Sequence, residues 1–197
     1  MRAFWETLRH DRQGAALVEF AIVAPTLILM LFAAFDYGHA AYARAVLQGA
    51  VQDAGRDAGL ESGSATQADI DAYVRAQVLS VVPRGAVLTS RENYENFDDV
   101  GKPEDFIDAN GNDAYDPEEC FFDINGNALW DADRAADGLG GADDVVIYTA
   151  ELSYDRIVPF WTYLGGDEQV NLSATTVLRS QPYGDQADRP EEQVCPE

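Results

Sequence analysis

Asp108, Asn110, Asn112, Asp116 and Glu119 place side-chain oxygens at positions 1, 3, 5, 9 and 12 of one short stretch. Alternate side chains of a tightly curled loop can converge, and the main-chain carbonyl of position 7, Ala114, can join them. Six to eight oxygens gathered in this way suit a hard divalent cation. Fifteen residues further on the pattern restarts as Asp123, Asn125, Asn127 and Asp131, with Leu129 at the carbonyl position. Position 12 of this second set is Arg134, which cannot bind a cation. Asp133, Asp137 or the Asp143–Asp144 pair are the residues that could close it.

The spacing resembles that of EF-hand and thrombospondin type 3 loops. It implies Ca2+ at one or two sites, favoured over magnesium because the loops are flexible and rich in carbonyls. Zinc is disfavoured, since no His or paired Cys lies nearby. Two residues depart from the EF-hand pattern. Position 6 is Asp113 where an EF-hand has Gly, with Gly111 at position 4 instead; Asp tolerates a left-handed backbone. Pro117 opposes an EF-hand's second helix. Phe106, Tyr115, Phe121, Phe122 and Trp130 interleave with the acids, a density of aromatics foreign to disordered acidic runs.

The 197 residues include 35 acidic and 13 basic ones, a net charge of -22. Fifteen of the acids lie in residues 98–144, against only Lys102 and Arg134. Such a surface excludes nucleic acid as a partner and suits cations. Like charge at this density repels itself unless solvated or neutralised. Cys120 and Cys195 are an even pair, compatible with one disulfide in an oxidising compartment and too few for a four-ligand metal motif. His10 and His39 flank an apolar segment and cannot share a site. No nucleophile elbow, phosphate loop or zinc motif is present. The expectation is a protein that is not an enzyme.

The elements that must position these loops begin with Ala15–Phe35, 21 residues with one charge, Glu19. About 20 apolar residues span about 30 Å of hydrocarbon as a helix. Arg2, Arg9 and Arg12 precede the segment and Asp36 follows it, which places residues 1–14 in the cytoplasm and the bulk of the chain outside. Pro25 removes one helix bond, a fault membrane helices tolerate. A cleaved signal peptide is the competing reading, with Ala-x-Ala at Ala41–Ala43, although its apolar region usually runs about 7–15 residues.

Beyond the apolar segment, Ala40, Ala43, Leu47, Ala50, Ala54 and Ala58 recur at helical spacing. This stripe of small residues packs against the protein's own sheet or against another subunit. Gly59 and Gly63 end the pattern. A second helix follows, capped by Ser64 with Gln67 or Thr66 with Asp69. Ile70, Tyr73, Val74, Val78, Val81 and Val82 form its apolar face, and it stops at Pro83. The period then becomes two. Residues 86–94 are a strand candidate. Val146, Tyr148, Ala150, Leu152 and Tyr154 alternate with Ile147, Thr149, Glu151 and Ser153; Val170, Leu172, Ala174, Thr176 and Leu178 alternate with polar residues. The connection between these last two strands is too short for a parallel crossover, so they are antiparallel. Val158–Leu164 within it caps the core or forms an exposed patch for a partner or a bilayer surface. Residues 182–197 are polar and read as a loose tail.

The neighbourhood Gly14-Ala15-Ala16-Leu17-Val18-Glu19-Phe20 resembles a type IV prepilin processing site: a basic leader ending in Gly, then Glu at the fifth mature position. The aromatic after the Glu resembles the Tad (tight adherence) pilus form. From Gly14 to Leu172–Ser180 and on to Tyr183 the chain resembles TadE-like pilus assembly proteins, and the acidic block resembles an insertion in such a protein. The resemblance implies an α+β, pilin-like fold: a long helix, half membrane and half soluble, a second helix and a small antiparallel sheet. It implies cleavage between Gly14 and Ala15 by a prepilin peptidase, with Glu19 pairing to the new N-terminal amine. The domains are then a basic cytoplasmic leader (1–14), a transmembrane helix (15–35), a periplasmic domain (36–181) with its insert at 98–144, and the tail (182–197). The expected role is a minor pilin or pseudopilin in a bacterial inner membrane, meeting other pilin-like subunits through its N-terminal helix, in or at the tip of a surface pilus. The alternative is a membrane-anchored or secreted calcium-binding adhesion protein unrelated to a filament.

Overall fold

A computed structural model describes residues 14–58, 67–138, 140–141, 143–158, 161, 165–179 and 191–196. Helix α1 covers Ala15–Ala58, with Pro25 inside it, and helix α2 covers Gln67–Val81. Strand β1 (Ala86–Tyr94) follows, then a single 3-10 turn at Phe97–Asp99. Strands β2 (Phe121–Asp123) and β3 (Ala136–Asp137) are short. The long strands are β4 (Val145–Asp155) and β5 (Gln169–Arg179), and β6 (Glu192–Val194) comes last. The architecture is α+β. The proposed caps at Ser64 and Thr66, the breaks at Gly59 and Gly63, and Gln181–Tyr183 lie outside the described residues.

The chain forms two compact units. One comprises residues up to Tyr42 together with Arg156–Glu168; the other comprises Ala43–Asp155 and Gln169 onward. In the first unit the apolar stretch of α1 is bare: Leu17, Phe20, Ile22, Met30 and Leu31 are all exposed. The helix is long and apolar enough to cross a membrane, and none of its most apolar window is buried within the chain.

In the second unit the four-stranded sheet runs β3-β1-β4-β5, antiparallel throughout. The expected alternation holds along β4, where Val146, Tyr148, Ala150, Leu152 and Tyr154 are all buried. Four residues of the expected stripe, Ala43, Leu47, Ala50 and Ala54, are buried in the core of this same unit, with Val51 beside them; Ala40 is half-buried and falls in the other unit. Fully burying a Leu or Val stabilises by about 1.5–3 kcal/mol. The small residues serve close approach to the chain's own sheet. A Cβ on Gly55 would stand 2.7 Å from Leu178 Cδ2 and 3.1 Å from Thr176 Cγ2. The Ala41–Ala43 signal-peptide site lies within α1, and Ala43 belongs to the core.

Helix α2 buries Ile70, Val74 and Val78. Tyr73, expected on that face, is instead 38% exposed. The buried row is Ile70, Val74 and Val78, spaced by four, and Tyr73 falls one position off it. A polar knot ties α2 to the sheet. Arg91 of β1 donates to Asp71 in bidentate fashion, Nη1 to Oδ2 at 3.2 Å and Nη2 to Oδ1 at 2.5 Å. The hydroxyl of Tyr148 donates to Asp71 Oδ1 at 3.0 Å, and the guanidinium lies 4.8 Å from the centre of the Tyr148 ring. Burial pushes the Asp71 carboxyl up, but the hydrogen bond and charge of Arg91 outweigh it and hold the group below the ordinary carboxylate range. Burial, then the Asp71 charge, drive the Tyr148 hydroxyl far above its ordinary value.

The tail differs from expectation at its end. Strand β6 pairs with β2, with Phe121 opposite Val194 and Asp123 opposite Glu192, and Cys120 is bonded to Cys195. A cross-link closing 75 residues of chain removes about 4 kcal/mol of unfolded-state entropy in the loop-closure picture. The acidic block lies between β1 and β4.

The knot yields a pH prediction. A carboxyl depressed in the folded state contributes stability above its unfolded pKa and loses it as pH falls through the folded value. Asp71→Asn should therefore cost about 2 kcal/mol at pH 7. The gap to the parent should narrow only below about pH 4. Denaturant unfolding at pH 7, 5, 4 and 2 reads both.

Candidate functional site

Two places in the sequence promised chemistry, and they fall in different units. The first is the start of α1. Gly14 precedes the helix, and its carbonyl accepts from Val18 N at 3.2 Å, so the Gly14–Ala15 bond sits at the helix boundary. Gly14 is exposed, and a Cβ there would meet nothing within 4 Å. Glu19 is one turn in and exposed.

The second place is the acidic repeat, where the two loops share most of their hydrogen bonds. In the first, Asp108 Oδ1 accepts from Gly111 N at 2.6 Å and Asn112 N at 3.2 Å, and its Oδ2 accepts from Asp113 N at 2.9 Å. In the second, Asp123 accepts from Gly126 N and Ala128 N, both at 2.7 Å. Asn110 and Asn112 each cap the amide two residues on, as do Asn125 and Asn127. The side-chain amides of Asn110 and Asn112 donate across the loop to Asp116 Oδ2, at 2.6 and 2.9 Å. Those of Asn125 and Asn127 donate to Asp131 Oδ2, at 2.8 and 2.6 Å. Alternate side chains do turn inward, because each loop curls around the carboxylate of its first residue. Hydrogen bonds from main-chain amides, Asp113 foremost, hold the Asp108 carboxyl below its ordinary range.

Position 12 supplies the residue that sequence spacing missed. In the first loop Glu119, buried, accepts from Ala109 N at 2.8 Å and Asp116 N at 3.2 Å, the amides of positions 2 and 9. In the second loop the same two amides, Ile124 N and Asp131 N, donate to Glu104 at 2.8 and 3.2 Å. Glu104 is 1% exposed and lies upstream of both loops. It holds the place in which the sequence has Arg134. That arginine turns away, donating to the Pro103 carbonyl and pairing with Asp105 at 3.3 Å. Of the closing residues considered from sequence, Asp133 accepts from the Tyr94 hydroxyl at 3.0 Å, Asp143 pairs with Arg179, and Asp144 accepts from Gly141 N. Asp133 and Asp137 do line an open hollow of about 470 Å³ with Glu92, Asn125, Asn127 and Asp131. Burial, then Asp133, push the Tyr94 hydroxyl far above its usual value.

The eighth residues of the two loops, Tyr115 and Trp130, stack with ring centres 4.5 Å apart. Phe106 meets both edge-on, and Phe121 meets Tyr115 edge-on. The aromatics therefore form the shared base of the loops. Among the described residues no three acidic, His or Cys side chains converge as a ready metal cluster. The other oxygens at the key positions are Asn amides and main-chain carbonyls.

Residues 14–56 match the TadE-like protein family. The TadE-like segment starts at the very glycine of the processing motif and ends within α1, at Arg56. It spans about a fifth of the chain. The sheet and both acidic loops fall outside it, as does the Leu172–Ser180 stretch of the sequence. The TadE-like family is associated with the Tad pilus and is not an enzyme family. No curated protein and no solved structure matches the chain.

The sixth residues test the loop conformation. Asp113 and Ala128 both take left-handed backbone, with φ of 58° and 61°, and Gly111 and Gly126 at the fourth positions do so at 77° and 80°. A left-handed conformation costs a residue with a Cβ about 1–2 kcal/mol. Ala128→Gly should thus raise unfolding stability by about 0.5–1 kcal/mol, the relief being partly offset by a freer unfolded chain. Gly126→Ala should lower it by about 1 kcal/mol. Opposite signs in chemical denaturation would establish the turn.

Proposed function

We propose that the protein is a membrane-anchored minor pilin or pseudopilin that takes part in assembling a Tad-type pilus. The observation that carries this is the TadE-like match beginning at Gly14, where a basic leader meets a bare apolar helix. A prepilin peptidase would cut between Gly14 and Ala15. Glu19 would then neutralise the new amine, relieving two charges that are costly near hydrocarbon. The positive leader keeps the N-terminus cytoplasmic and the sheet-bearing unit periplasmic, in a bacterial inner membrane. Exposed apolar residues of the helix, from Leu17 to Phe35, offer the surface for other pilin-like subunits, and the mature chain would sit in or at the tip of the filament. The rival is a calcium-binding adhesion protein, membrane-anchored or secreted. What favours it is that the acidic loops lie outside the matched segment.

N-terminal sequencing after co-expression with a prepilin peptidase tests the choice. The expected mature chain starts at Ala15, and Gly14→Asp should leave it uncut. A start at Tyr42 or beyond would sink the pilin reading, and an uncut parent chain would leave a plain anchor.

Calcium belongs to this proposal as the stabiliser of the periplasmic insert. The donor chemistry fits two sites. Asp108, Asn110, Asn112, Asp116 and Glu119, with the Ala114 carbonyl, would hold one ion. Asp123, Asn125, Asn127, Asp131 and Glu104, with the Leu129 carbonyl, would hold the other. A bound cation would replace the Asn amide hydrogens now donated to Asp116 and Asp131. Calorimetry should find two ions per chain, with Asp108→Ala and Asp123→Ala each weakening one. Glu104→Gln should reduce the second site alone. A parent chain that neither binds calcium nor gains thermal stability from it would remove the metal from the account.

A further inference from the structure

Asp36 is the first charge after the apolar stretch, and it is 4% exposed while its neighbours Phe35 and Tyr37 are 58% and 77% exposed. It is buried by the connection between β4 and β5, which groups with this part of the helix. Arg156 Nη1 donates to Asp36 Oδ2, and Trp161 Nε1 donates to the same oxygen at 2.8 Å. The connection is closed upon itself. Arg156 Nε donates to the Asp167 carbonyl at 3.0 Å, Arg156 N to the Glu168 carbonyl at 3.0 Å, and Gly166 N to the Trp161 carbonyl at 2.8 Å. The guanidinium lies 5.6 Å from the centre of the Trp161 ring. Ile157, next to Arg156, remains 55% exposed.

Counted from Ala15, about 20 residues of helix exhaust the hydrocarbon. Asp36 then stands at the level where the helix leaves it, and so does whatever is pinned to Asp36. The groups pinned there have the chemistry of that level. Trp161 is an aromatic body whose N–H is already satisfied, the Arg156 charge is paired, and Ile157 presents an apolar side chain outward. An ion pair withdrawn from water needs further hydrogen bonds to be tolerable, and here the Trp161 indole and the Asp167 carbonyl supply them. Phe32 and Phe35, four and one residues before Asp36, are themselves exposed on the helix.

We propose that Arg156, Ile157 and Trp161 of this connection form a second membrane contact, latched to Asp36 and seated at the headgroup boundary with Ile157 in the upper acyl region. The proposal rests on α1 crossing the bilayer. Its test uses the full chain in phosphatidylcholine–phosphatidylglycerol vesicles. Both native cysteines are bonded, so Ile157→Cys provides one site for an environment-sensitive fluorophore. The label should be quenched by lipid spin-labelled near the headgroup about threefold more than by lipid labelled at the chain terminus, as for an interfacial element. Adding Asp36→Asn should abolish that preference and open the label to aqueous iodide. If the chain floats with the vesicles but iodide quenches the label freely in the Asp36 parent, the loop faces water and the proposal is wrong. Shielding from both iodide and spin-labelled lipid would assign the patch to a neighbouring subunit and overturn it too. A chain that does not float with vesicles would overturn the membrane span itself and the proposal with it.

Discussion

The second unit depends on carboxylates being satisfied by main-chain amides. Glu104, Glu119, Asp123 and Asp144 are buried, and each accepts from at least one backbone N–H. Leaving a carboxylate buried without such partners would cost several kcal/mol. The amides gain as well, since a tightly curled loop has no strand or helix partner for them. The excess acid that looked self-repelling is thus the means by which residues 98–144 fold. Among the described residues, apolar packing in the insert gathers at the Tyr115–Trp130 stack and its neighbours. The price of this arrangement is a concentration of negative charge that backbone dipoles offset only in part.

The same constraint explains the register of the insert. Glu104 reaches both Ile124 N and Asp131 N only because the segment around Pro103–Phe106 runs beside the loops. Main-chain bonds Glu104 N to Asp131 O at 2.9 Å and Phe122 N to Asp105 O at 2.8 Å set that course. Arg134 N to Lys102 O at 2.9 Å continues it. The Cys120–Cys195 bond and β6 brace the other side of β2. A loop pair with so little apolar area is therefore tied at three places to chain far away in sequence.

What the sequence made legible followed from periodicity. Strand β1 was legible as a candidate element, and the alternation along β4 and β5 could be read residue by residue, because one face of an antiparallel sheet must be apolar. The helical stripe was equally plain, although only the approach of Leu178 and Thr176 to Gly55 shows that the stripe faces the chain's own sheet. The curl of the first loop was legible, since Asp108, Asn110, Asn112, Asp116 and Glu119 all lie within twelve residues. The second was not. Its closing carboxylate, Glu104, precedes both loops, and local spacing cannot register a partner brought in by tertiary structure. The one signal was indirect: an acid four residues before the first loop, in a block whose second loop lacked its own. The end of the tail was missed for a similar reason. Polar residues with prolines resemble loose chain until Val194 meets Phe121 and Cys195 meets Cys120.

The two units solve one electrostatic problem in opposite ways. At Asp36 a lone carboxylate is neutralised by a cation, Arg156, with a single indole N–H in support. In the acidic loops no Lys or Arg among the described residues forms an ion pair with Asp108 or Asp123, and neutral amides hold their charge. A fixed cation suits a place where the medium is apolar, because amide dipoles alone leave a net charge that hydrocarbon penalises. Neutral dipoles suit a wet surface, where the residual charge stays solvated and open to exchange with dissolved cations. The choice of partner at each carboxylate is then itself a record of the solvent it faces. On the topology proposed above, it separates a membrane-edge group from a periplasmic one on a chain in which both are simply aspartates.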